Sequence, residues 1–176
     1  MRIVKWLLSI VVALALVLLG GGLLLSPKFT VSRSVTIAAP VDKVYALVAS
    51  PRQWKQWSVW NLRDPAMQVD YSGPDSGAGA AWAWRSKSEG DGKMSFTAAE
   101  PNQKVVYDLF FPDFGTTSTG EFRFAAQGSG TQVTWIMNGD FGSNPLFRWF
   151  ALGADSMVGT DFEGGLANLK ALAEKP

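Results

Sequence analysis

The chain has 176 residues, with eight tryptophans, no histidine, no cysteine and a formal net charge of +1. Lacking His and Cys, it has no Ser–His nucleophile, no disulfide, no Cys to acylate as a lipoprotein and none of the usual transition-metal ligands. The near-neutral balance argues against nucleic acid as a partner, because phosphate binding needs a clustered basic surface.

Trp6 to Leu25 runs 20 residues without a charge. As a helix it would be about 30 Å long, the thickness of a bilayer core. Arg2 and Lys5 precede it as a cytoplasmic flank would, and Trp6 stands where an interfacial aromatic belongs. The run exceeds the h-region of a signal peptide and no A-x-A-like site follows it. Residues 1–27 are therefore expected to form an uncleaved transmembrane signal anchor. Lys28 and Arg33 weaken the charge asymmetry, but the expected topology keeps the N-terminus inside and the domain on the extracytoplasmic, in a bacterium periplasmic, face. Residues 28–176 suffice for one domain with its own core.

Ser26-Pro27 ends the apolar helix. Phe29 to Ile37 alternates apolar and polar and reads as a strand. Pro40 opens a short helix in which Val41, Val44, Tyr45 and Val48 share a face. Ser50-Pro51 starts a second short helix through Trp57. Trp54, Trp57 and Trp60 are spaced by three, so on a helix they would share one side. They would then cap the sheet as a satellite core, gate a cavity, or face a bilayer.

Six strands follow, over 67–71, 80–86, 93–99, 104–111, 116–126 and 131–140. Turns at Gly73-Pro74, Glu89–Gly92, Pro101-Asn102, Pro112–Gly115 and Gly128–Gly130 separate them. Asn144 to Glu174 is helical in pattern, although Gly153, Gly159, Gly164 and Gly165 interrupt it at roughly 1 kcal/mol each relative to Ala. Glycines there would let the helix kink or let strands come close. One strand, two short helices, six strands and a long helix make an antiparallel α+β domain.

In this order, RSVTIAAPVDKVYALV (33–48), WKQWSVW (54–60), RDPAM (63–67), YSGPDSGAGA (71–80), GTQVTW (130–135) and MVGTDFEGGLANLKALAE (157–174) resemble the SRPBCC superfamily. This is the group of START-like lipid-transfer domains and birch-pollen-allergen-like proteins. Within it the chain looks like the bacterial polyketide cyclase/dehydrase group. The resemblance covers about residues 29–175. It implies a helix-grip fold, a seven-stranded antiparallel curved sheet around a long C-terminal helix, with a hydrophobic ligand cavity between them. It implies no particular reaction.

Strand phase gathers Trp82, Trp84, Met94, Phe96, Tyr107, Leu109, Phe122, Phe124, Trp135 and Met137 on inward faces. A packed core and a cavity have the same periodicity, so both readings stand at this point, and a space of about 300 Å³ or more would favour binding. As a ligand site, the lining is expected to be Trp60, Trp82, Trp84, Met94, Phe96, Tyr107, Leu109, Phe122, Trp135 and Met157. Asp70, Asp108, Glu121, Asp140, Asp155, Asp161 and Glu163 read as solvated carboxylates, and Arg85, Arg123 and Arg148 as solvated cations. No metal site, cofactor or catalytic constellation is expected. The leading expectation is a membrane-anchored, non-catalytic domain that binds or carries a small hydrophobic molecule or lipid. The alternatives are a cyclase- or dehydratase-like enzyme using Tyr107 or a buried carboxylate, and an envelope protein-interaction module using Trp54–Trp60.

Overall fold

The computed structural model describes residues 2–113 and 115–176. Phe114, in the turn expected over 112–115, lies outside the described residues. The first element is α1 (Arg2–Leu24), long and apolar enough to cross a membrane and exposed almost throughout. Then come β1 (Lys28–Ile37), α2 (Val41–Ala49), a 3₁₀ turn at Pro51–Gln56 and the short α3 (Val59–Arg63). Strands β2 (Gln68–Ser72), β3 (Ala81–Arg85), β4 (Gly92–Glu100), β5 (Lys104–Phe111), β6 (Thr116–Gln127) and β7 (Gly130–Asp140) follow, and α4 (Arg148–Ala173) closes the fold.

The seven strands form one antiparallel sheet in the order β1-β7-β6-β5-β4-β3-β2. Consecutive hairpins build β2 to β7, and β1 returns to pair with β7. A register shift between Phe96 and Ala98 in β4 marks a bulge, which bends a strand and raises its twist. The fold is the antiparallel α+β arrangement that the strand and helix pattern predicts, in the helix-grip form that the family resemblance implies.

Helix α4 is held along its length. Arg33 on β1 crosses it and donates to Asp155 (2.8 Å) and Glu163 (2.5 Å). Gly159 makes room, since a Cβ there would stand 2.1 Å from the Arg33 guanidinium. At the far end, Lys170 Nζ donates to the Thr36 carbonyl (2.6 Å), and Glu174 accepts the Ala38 N–H (2.7 Å). Gly165 admits Trp135, whose nearest ring atom would lie 3.1 Å from a Cβ at 165. Gly159, Gly164 and Gly165 thus serve close approach of neighbouring elements, whereas Gly153 meets only Met157 of its own helix.

Two residues of the tryptophan cluster sit in the main core and not in a satellite core. Trp57 is wholly buried and Trp54 nearly so, and both belong to the main core. Their indole N–H groups donate to Val48 O (2.8 Å) and Leu47 O (3.1 Å), the last turn of α2. The helix expected through Trp57 is a 3₁₀ turn that ends at Gln56, and Trp60 belongs to the separate α3.

Candidate ligand-binding cavity

Phe122 and Trp135 are direct cross-strand partners, and Phe162 of α4 stacks on Trp135 with ring centroids 3.8 Å apart and planes 7° off parallel. This stack fixes the spacing between sheet and helix. Beside it lies a cavity of about 230 Å³. Trp82, Trp84, Met94, Tyr107, Leu109 and Phe111 form its sheet wall, continued by Trp135 and Met137. Trp54, Ser58, Trp60, Asn61 and Met67 close it from the segment before β2, and Met157, Val158, Asp161 and Phe162 from α4.

Two aromatic walls depend on glycine. Trp84 pairs across the sheet with Gly92, where a Cβ would be 2.2 Å from the indole. Tyr107 pairs with Gly120, where a Cβ would be 1.9 Å from the ring. Each ring lies flat over a bare strand position instead of standing up from the sheet, a device by which aromatics cover strand glycines. Laying the rings down leaves open space in front of them.

Met67, Met94, Met137 and Met157, four of the five methionines in the chain, line the space. Methionine is unbranched and adapts its shape, so such a wall can yield to different occupants.

The polar groups of the wall include hydroxyls, indole N–H groups and the Asn61 amide, which donates to Met67 Sδ (3.5 Å). The Trp135 indole N–H donates to the Tyr107 hydroxyl (2.7 Å), which leaves the Tyr107 O–H proton without a protein acceptor. Burial pushes the Tyr107 phenol well above its usual range, with the Trp135 bond a smaller opposing influence, so it stays protonated. Ser58, 1% exposed, adds a hydroxyl to the lining. The indole N–H groups of Trp60, Trp82 and Trp84 are unspent.

Among the described residues, the carboxylates of the lining are Glu89 and Asp161. Arg63, at the end of α3, bonds Asp161 of α4 (2.8 Å) and reaches Glu89 of the β3–β4 turn (3.5 Å). Ser86 donates to Asp64 (2.6 Å) beside it. Asp161 is therefore a rim residue of the cavity and not the free surface carboxylate expected from sequence. Glu163 points the other way, to Arg33.

Of the expected lining residues, Trp60, Trp82, Trp84, Met94, Tyr107, Leu109, Trp135 and Met157 stand in the cavity wall. Phe96 and Phe122 share the inward face but stay behind that wall, packed against Trp54 with centroids 6.3 and 5.7 Å away. Residues outside the expected lining set also line it, among them Trp54, Ser58, Asn61, Met67, Phe111 and Met137, with Glu89, Val158, Asp161 and Phe162. The repeated spacing of methionines on inward strand positions was the available signal for Met137. None existed for the rim, which three distant segments assemble.

A family model described as "Polyketide cyclase / dehydrase and lipid transport" matches residues 28–174. The chain belongs to this polyketide cyclase/dehydrase and lipid transport family. Comparison with curated proteins gives no match. Solved structures share the family's fold at low identity. A protein from Rhizobium leguminosarum is 16% identical with a TM-score of 0.62, over 85% of this chain and 96% of its own. Protein CV1439 from Chromobacterium violaceum is 15% identical with a TM-score of 0.58, over 84% and 98%. The di-domain ARO/CYC BexL from the BE-7585A biosynthetic pathway is 21% identical with a TM-score of 0.60, and this chain spans about half its length, 51%. At such identities the likeness speaks for the fold alone.

Proposed function

We propose that the domain binds and carries a small, neutral, mainly apolar molecule bearing one or two acceptor oxygens, without transforming it. The observation that carries this reading is the cavity between sheet and α4, with its yielding methionines and its unspent donors. Its 230 Å³ falls short of the ~300 Å³ at which drug-sized sites begin, yet exceeds the 150 Å³ of an engineered cavity that takes benzene. A one- or two-ring molecule suits it as it stands. A longer lipid would need the methionine wall and the Arg63 rim to give way.

The donors on the sheet wall favour a carbonyl, ether or ester oxygen on the ligand, because a buried donor left unpaired costs about 1–3 kcal/mol. A cyclase-like reading would make Tyr107 the acid or base. Its phenol has been moved away from neutrality, whereas efficient acid–base catalysts are tuned toward it.

Helix α1 would hold this domain at a membrane. Its 23 residues span about 34 Å, and Arg2 and Lys5 would keep its start cytoplasmic, leaving the domain extracytoplasmic. We read residues 1–27 as this anchor and 28–176 as the carrier domain.

Titration with N-phenyl-1-naphthylamine, a neutral apolar fluorophore, tests the binding reading. Saturable one-to-one uptake by the wild type, lost in Leu109→Trp with folding intact, is the expected result. Equal uptake by that variant would mean that the cavity is not the site.

A further inference from the structure

Outside α1, eight large apolar side chains are exposed among the described residues. Five of them, Leu146, Phe147, Trp149, Phe150 and Leu152, fall within seven consecutive positions. The stretch 141–154, which leads into α4 and forms its first turns, carries one charge, Arg148. Such concentration on one tip of a domain marks an interaction surface.

The same tip is docked on the end of α1. The Trp149 indole N–H donates to the Leu18 carbonyl (2.9 Å), and its ring lies where a Cβ at Gly21 would be 2.7 Å away. The Pro145 carbonyl sits against Gly22, 2.0 Å from where a Cβ would stand. Arg148 donates to Leu23 O (3.2 Å) and Leu25 O (3.4 Å). Gly21 and Gly22 are thus the small-residue face that lets the tip come close, as glycines do between helices in membranes.

This docking fixes the depth of the tip. From Leu18 to Leu25 is roughly 10 Å of helix rise. If the tip stayed in water, Trp6 to Val17 alone would have to cross the bilayer, about 18 Å of helix for a core of ~30 Å. The full uncharged run to Leu25 fits the core, and that places Trp149 and its apolar neighbours within the membrane's outer layer. There Trp is favoured, and Arg148 can reach up to the headgroups.

We propose that residues 146–152 are seated in the lipid bilayer beside the end of α1. This rests on the reading of α1 as a membrane anchor. It also positions the cavity. Met157, exposed and part of the cavity wall, lies five residues beyond Leu152, about 7.5 Å along α4. The rim then stands at headgroup level, and a ligand exchanges with the bilayer rather than with bulk water.

The absence of native cysteine makes site-directed spin labelling direct. The full chain is reconstituted in phosphatidylcholine vesicles with a single nitroxide at Leu152→Cys, Phe150→Cys, Val12→Cys or Ser129→Cys. Ser129 lies in the β6–β7 turn, at the end of the sheet away from α1. Labels at 150 and 152 should resemble that at 12, accessible to oxygen and at least about tenfold less accessible than 129 to a polar nickel chelate, which hydrocarbon excludes. Nickel accessibility at 150 and 152 equal to that at 129, with 12 still shielded, would overturn the seating while leaving the anchor intact. Shielding from both reagents would also overturn it, since a protein partner or second copy would then cover the tip. A water-accessible label at 12 would remove the anchor reading itself and this proposal with it. None of these outcomes depends on ligand uptake.

Discussion

Tyr107 and Gly120 form a unit: the ring lies flat because the opposing strand position is bare. Gly120→Ala should force the buried ring up into the cavity and cost about 1–3 kcal/mol, the usual range for overpacking. Chemical denaturation would read that as a lower midpoint, and uptake of the naphthyl probe should fall in parallel. Tyr107→Phe keeps the ring and removes one neutral donor. A ligand that accepts from the O–H should then bind about 2- to 10-fold more weakly, the equivalent of ~0.5–1.5 kcal/mol, while purely apolar probes should bind unchanged. The donors inside are a protonated phenol, indoles and a serine, none of which titrates near neutrality. Binding measured by isothermal titration should therefore be flat between about pH 5 and 9. A bell-shaped profile would point to a titrating group at the ligand and revive the cyclase reading.

At the scale of elements, α4 is both a wall of the cavity and the piece that other elements hold in place. Arg33 keeps Asp155 below the usual carboxylate range through its hydrogen bond, and the Ala38 N–H does the same for Glu174, with Lys170 adding to it. Groups depressed by folding stabilise the native state above their unfolded pKa and lose that contribution as pH falls through the folded value. Thermal stability should thus decline as pH drops below about 4, and Arg33→Gln should flatten that acid limb. At the rim, Arg63 ties α3 to α4 and to the β3–β4 turn. Arg63→Met should speed both uptake and release of the naphthyl probe in stopped flow. In the wild type, high salt should do the same, because these ion pairs are partly exposed and screened.

The strands and α4 were legible in the sequence, since alternation and helical periodicity over many residues leave little choice. Helix α3 was not, because five residues beside Ser58 offer too little periodicity to read. Met67 was read as a strand residue; β2 begins one position later, which frees that side chain for the cavity. The hollow beside Trp135 was beyond periodicity altogether: inward Trp, Tyr and Met alternate identically whether rings stand up and fill the space or lie down over glycines. The rim was illegible for a different reason, as residues 63, 89 and 161 meet only through the tertiary fold.

Across the whole molecule, one arrangement links anchor, tip and cavity. Helix α1 leads into β1, the tip of α4 docks on the end of α1, and the cavity wall begins about 7.5 Å further along α4. The orientation has its own test: a reporter active only in the cytoplasm, fused after Pro176, should stay silent. The central claim is that the space between sheet and α4 holds a small acceptor-bearing apolar molecule. Native mass spectrometry of the full chain, released from mild detergent, tests it most directly. The account predicts a single retained or exchangeable small organic molecule on the wild type, absent from Leu109→Trp of the same fold. Bare wild-type mass, with no uptake of an added neutral aromatic ketone, would contradict it.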